Sequence, residues 1–119
     1  MIELMVVVAI IGVLAAVAVP RYLAARNTAA AGATIGEVVG LAKECSTFVA
    51  SKVGTAPTAP ASFTTRGGTY TCDMTTGGSI SATWTNRVEN LDCLNAENQA
   101  GTTATVAISG EGQMECTIS

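Results

Sequence analysis

The side chains that could do chemistry are few, and one type is missing. The 119-residue chain contains no histidine. That rules out Ser-His-Asp and Cys-His catalysis and removes imidazole from any zinc or iron site. Glu111 and Glu115 are a formal carboxylate pair, but they read as solvated turn and strand positions. Asp73, Asp92 and Asn95 lack the spacing of a calcium loop. Neither GxGxxG nor GxxxxGKS occurs. Tyr70 and Trp84 read as core residues rather than a base-stacking platform. Cys45, Cys72, Cys93 and Cys116 are separated by 27, 21 and 23 residues, and no CxxC pair is present. Four such cysteines read as two disulfides made in an oxidising compartment. The expectation is a non-enzymatic protein with no metal and no cofactor. What remains is Glu3, the one charge in the first 20 residues.

Glu3 stands at the end of an apolar run. Residues 4–19, LMVVVAIIGVLAAVAV, carry no charge. With Met1 and Ile2 the run approaches the ~20 residues a helix needs to cross a bilayer. In lipid the backbone amides must pair within the segment, so a helix is expected. A secretory signal peptide would begin with positive charge, and Met1-Ile2-Glu3 is negative. Ala16-Val17-Ala18 imitates a cleavage site, but the helical pattern continues past it. An ordinary anchor would not place a carboxylate at its apolar end, because an unpaired one there is costly and marks function. The plain alternative is a membrane-edge Glu reaching lipid headgroups.

The elements that must carry these residues follow from periodicity. Ala31, Ile35, Val38, Ala42, Cys45 and Val49 recur at spacings of 4, 3, 4, 3 and 4, one apolar stripe on a helix. Val39 and Phe48 widen the stripe, while Glu37, Lys43, Glu44 and Lys52 lie off it. One helix is expected over residues 2–53, bent or loosened near Gly12 and Pro20 and stopped at Gly54. Residues 55–62, TAPTAPAS, read as a solvated linker. Four strands follow, each with one apolar face. The first carries Tyr70, Cys72 and Met74, and the second Ile80, Ala82 and Trp84. The third carries Ala104, Val106 and Ile108, and the fourth Met114, Cys116 and Ile118. Gly77-Gly78 marks the first hairpin, and Gly110-Glu111-Gly112 the last turn. Residues 87–101 read as an irregular polar loop. The predicted fold is α+β: a long N-terminal helix whose C-terminal half packs on a four-stranded antiparallel sheet. Residues 1–24 form a membrane or assembly half, and residues 25–119 the head.

Charge narrows the partners. Charged residues are 13% of the chain and aromatic ones 4%, against about a quarter charged in an ordinary soluble domain. Residues 21–53 hold Arg21, Arg26, Lys43 and Lys52 against Glu37 and Glu44, a net of +2. Beyond them Arg66 and Arg87 face Asp73, Glu89, Asp92, Glu97, Glu111 and Glu115, a net of −4. An acidic distal part repels nucleic acid, and no basic stripe is present to bind it.

Residues 2–20, IELMVVVAIIGVLAAVAVP, closely resemble the start of mature type IV pilins. They join a lone Glu at the membrane end, an uninterrupted apolar run, the internal Gly12 and the terminal Pro20. The resemblance implies a subunit that waits in the inner membrane and polymerises into a helical filament of identical copies on the bacterial surface. Such filaments serve adhesion, twitching motility or DNA uptake. It implies a prepilin peptidase and a pilus assembly machinery as partners. It places Leu4, Val8, Ile11, Gly12, Val19 and Pro20 with Glu3 in inter-subunit contacts. Glu3 would pair with a neighbour's terminal amine, and the stretch from Gly12 to Pro20 would loosen in the filament. In the family a basic leader ending in Gly precedes the mature chain, which usually starts at an N-methylated Phe. This sequence begins Met1-Ile2-Glu3, so the natural mature end is expected to differ from Met1. Four cysteines allow three pairings. The favoured one is Cys45–Cys72, stapling helix to sheet, with Cys93–Cys116 closing a C-terminal loop as late disulfides do in many pilins. A pseudopilin of a type II secretion system shares the helix and is the first rival. A single-pass anchored binding module is the second.

Overall fold

Helix α1 runs without interruption from Ile2 to Ser51. At 1.5 Å per residue it is ~75 Å long, and the long axis of the whole molecule is 74 Å. The computed structural model describes residues 1–119. Its radius of gyration is 20.4 Å, where a compact chain of this length would have about 13.5 Å. The excess is the first half of α1, which projects from the head with no residue buried before Ala31. Pro20 lies inside the helix, which runs unbroken through Gly12 and Pro20 in the single chain.

From Ala31 onward the predicted stripe is the buried face. Ala31, Ile35, Val38, Ala42, Cys45 and Val49 are all buried, joined by Leu41 and Phe48. They cover one face of an antiparallel sheet with strand order β1-β2-β3-β4. The strands are β1 (Thr69–Asp73), β2 (Gly77–Cys93), β3 (Ala96–Ile108) and β4 (Met114–Ile118). Ile80, Ala82, Val88, Leu91, Cys93, Ala104, Val106, Ile108, Cys116 and Ile118 supply the sheet's share of the core. Every chain reversal in the sheet is a hairpin, so each strand lies beside its sequence neighbour.

Three features differ from the sequence expectation. Residues 87–101 are not an irregular loop; they complete the long β2–β3 hairpin. From Thr83↔Thr103 through Val88↔Gly101 to Leu91↔Gln99 the register advances faster on β2 than on β3, and from there to Cys93↔Ala96 it advances faster on β3. The extra residues are bulges, which erase the period-two pattern and bend the strands. Asn90 and Asn98 take positive φ there, a conformation asparagine tolerates well. Second, the linker ends in a short helix, α2 (Ala61–Thr65), which buries Phe63. Third, Gly77-Gly78 opens β2 instead of forming the turn. Gly77 has a φ of 82°, and a side chain there would overlap the Ile108 carbonyl.

The helix also stops two residues before Gly54. Lys52 takes the left-handed conformation, and its amide donates to the Phe48 carbonyl at 3.1 Å. Its Nζ donates to the carbonyls of Met74 and Gly110, one in each of two sheet turns. Those bonds offset the left-handed strain, which is about 1–2 kcal/mol for a residue with a Cβ. Lys52→Met is expected to destabilise the head by about 1–2 kcal/mol. Lys52→Gly, which relieves the strain while losing the same bonds, should cost less. Chemical denaturation of both variants checks the order.

The β1–β2 turn has its own anchor. Asp73 Oδ1 accepts from the Thr75 amide at 2.8 Å, the Thr75 hydroxyl at 2.6 Å and the Thr76 amide at 3.1 Å. The hydroxyl, then the two amides, hold its carboxyl well below the usual carboxylate range. With the folded value depressed, the stabilisation is complete above the unfolded value near 3.8 and is lost as pH falls through the folded one. The melting-temperature advantage of the native chain over Asp73→Asn should therefore be full at neutral pH and shrink below about pH 4. A difference that stays constant down to acid pH would overturn this assignment.

Candidate functional site

The largest unsatisfied feature of the molecule is the free half of α1. Met1, Ile2, Leu4, Met5, Val8, Val13 and Leu14 are all more than 60% exposed. The other large apolar side chains as far as Leu23 are at least half exposed. Soluble monomers rarely leave so large a continuous apolar surface in water. A helix apolar around its whole circumference belongs in a membrane or inside a bundle. This one is long and apolar enough to cross a membrane, and none of its most apolar 18-residue window is buried in the chain.

The sequence-predicted assembly residues all lie on this half, and none contacts the head core. Leu4, Val8 and Ile11 share one face by their spacing of four and three. Val19 rejoins that face eleven residues after Val8, about three turns on. Gly12 borders the face and leaves a shallow place: a methyl group added there would meet no other atom within 4 Å. Pro20 lies on the other side. Glu3 sits in the first turn of α1. The chain contains one ion pair, Arg66 with Glu37 at 2.6 Å, so no cation of the same chain neutralises Glu3.

The head is braced by two disulfides. Cys45 is joined to Cys72, with Cα atoms 5.8 Å apart, linking α1 to the edge strand β1. Cys93 is joined to Cys116, with Cα atoms 5.9 Å apart, folding the end of the β2–β3 hairpin against β4. Asn95 Oδ1 accepts from the Cys116 amide at 3.0 Å and holds the same junction. Tyr70 and Trp84 are partly buried against the core, as their place on the apolar strand faces suggests. The Tyr70 hydroxyl has no hydrogen-bond partner. Burial, then the nearby Glu44 carboxylate, push its pKa up.

One feature had no signal in the motifs. Between α1, α2 and the middle of β2 lies a groove of about 520 Å³. Arg26, Asn27, Arg66, Trp84 and Asn86 line it. Phe63 was the one clue, a lone large apolar residue in a segment of small ones.

No family model matches this chain, and no curated protein or solved structure matches it. The likeness of residues 2–20 to pilins therefore rests on those residues. The architecture, a long apolar N-terminal helix on a disulfide-braced four-stranded sheet, is compatible with a pilin fold.

Proposed function

We propose that this chain is the structural subunit of a type IV pilus-like filament on the bacterial surface, held in the inner membrane by residues 1–24 before assembly. One observation carries the reading: the exposed apolar half of α1, with Glu3 in its first turn. A half-helix of ~22 residues and ~33 Å matches the ~30 Å hydrocarbon thickness. The same surface can exchange lipid neighbours for identical helices. Lipid tails are as apolar as Leu, so close packing and polar pairing, rather than escape from water, must favour the bundle. Glu3 supplies the polar term. The disulfides suit an oxidising exterior. A processing peptidase and an assembly machinery enter as partners through the pilin likeness, and no catalytic role is assigned.

The test is electron microscopy of sheared surface fibres, with mass spectrometry of their subunit. The expected result is thin fibres built of this chain, with both disulfides intact and the subunit's N-terminal residue read directly. A chain that stays in the membrane fraction as a detergent-soluble monomer, with no fibres, would support the anchored binding module and overturn the filament.

A further inference from the structure

The groove beside α2 and the end of the β2–β3 hairpin carry charges of opposite sign with no partner in the chain. On the β1 and α2 flank, the groove holds Arg26, Asn27, Glu37, Arg66, Trp84 and Asn86. Glu37 is tied to Arg66, whose Nη2 donates to both carboxylate oxygens at 2.6 Å. Asn86 Nδ2 donates to Asn27 Oδ1 at 3.1 Å. That leaves Arg26 with no carboxylate within ion-pair distance. It also leaves Trp84 Nε1 buried with no acceptor. The exposed Arg26 guanidinium, without a counter-ion in the groove wall, fits an anionic oxygen ligand.

The end of the β2–β3 hairpin presents such oxygens. The Cys93–Cys116 bond and the Asn95–Cys116 hydrogen bond fold the β2–β3 end beside β4. Glu89, Asp92 and Glu97 are exposed on that end; Glu111, in the turn before β4, and Glu115, on β4, are exposed too. None has an ion-pair partner in the chain. Arg87 is the one cation among them. The three carboxylates of the hairpin end, Glu89, Asp92 and Glu97, repel one another, and a neighbour's cation would relieve that repulsion.

We propose that the acidic β2–β3 end of one copy docks into the Arg26–Trp84 groove of the next. Donor and acceptor surfaces differ, so the contact is heterologous, the kind that propagates as an open helical assembly when its rotation does not close a ring. The inference rests on the filament reading and deepens it: α1 supplies cohesion, and the head contact sets how neighbours are turned. Glu89 and Glu97 are the carboxylates for the groove, since Asp92 already accepts from the Asn98 amide at 2.9 Å.

The test uses the full chain and a charge swap. Arg26→Glu should lower fibre yield at least about tenfold, and Glu89→Lys with Glu97→Lys should do the same. All three changes in one chain should restore most of the yield, because the flanks are complementary again. These side chains make no contact that holds the head together, so thermal unfolding should match the native chain. A photo-reactive residue at Ala30, in the groove wall, should give covalent dimers joined to residues 87–99. An Arg26→Glu chain or a Glu89→Lys, Glu97→Lys chain that polymerises like the native one, a triple variant no better than either, or dimers joined elsewhere would each overturn the docking. Absence of fibres from the native chain would overturn the filament reading and the docking together, a result distinct from those three.

Discussion

Glu3→Ala is expected to leave the chain in the membrane and to stop it from polymerising. Removing a charge from the apolar end lowers the cost of insertion, by up to ~3 kcal/mol on scales for central acidic residues. Membrane fractionation should find the variant where the native chain is. Assembly responds in the other direction. Helices leaving lipid gain little apolar burial, so a paired carboxylate is a large part of what distinguishes the bundle from the bilayer. Two unit charges ~4 Å apart at an effective dielectric constant of ~20 attract by ~4 kcal/mol. At 1.4 kcal/mol per decade, that is roughly a thousandfold in association. Glu3→Gln separates charge from shape. If ion pairing matters, Gln fails nearly as badly as Ala; if only hydrogen bonding matters, Gln polymerises. Normal fibre yield from Glu3→Ala would remove Glu3 from the assembly mechanism and favour its contact with lipid headgroups.

The sequence disclosed most where a single periodicity ran without interruption. The 4-3-4-3-4 stripe from Ala31 to Val49 is buried at every position, because a regular helix keeps its phase and the sheet needs one cover. The four alternating runs became the strands for the same reason. Legibility failed where phase was broken. Val88, Leu91 and Cys93 are buried, yet their spacings of three and two match neither a helix nor a flat strand. Only the bulges, with Asn90 and Asn98 at positive φ, bring them to one side. The groove was hidden for another reason. Arg26, Phe63, Arg66 and Trp84 come from separate parts of the chain, and nothing local couples them before the sheet has folded against α1. Glu3 was legible at once as an anomaly, since a lone carboxylate needs no tertiary context to be costly in an apolar run.

The second large effect is expected from the disulfides, and the two should not be equivalent. They close loops of 27 and 23 residues, each worth about 3.5 kcal/mol in the loop-entropy model. Against a net stability of about 5–15 kcal/mol, losing either bond is severe, and losing both should leave the head largely unfolded at about 37 °C. For a domain of this size, about 3.5 kcal/mol corresponds to a melting-temperature drop on the order of 15–25 °C. Replacing Cys45 and Cys72 by Ala should show that drop and free β1, an edge strand bonded only to β2, from the helix. Replacing Cys93 and Cys116 should show a comparable drop with a second consequence. The β2–β3 end loses its tie to β4, and with it the position of Glu89 and Glu97. At temperatures where both variants are still folded, fibre yield should therefore fall further for the Cys93–Cys116 pair than for the Cys45–Cys72 pair. Calorimetry with fibre counting separates the two effects. Equal fibre yields at matched stability would mean that the hairpin end contributes to the filament only through the stability of the head.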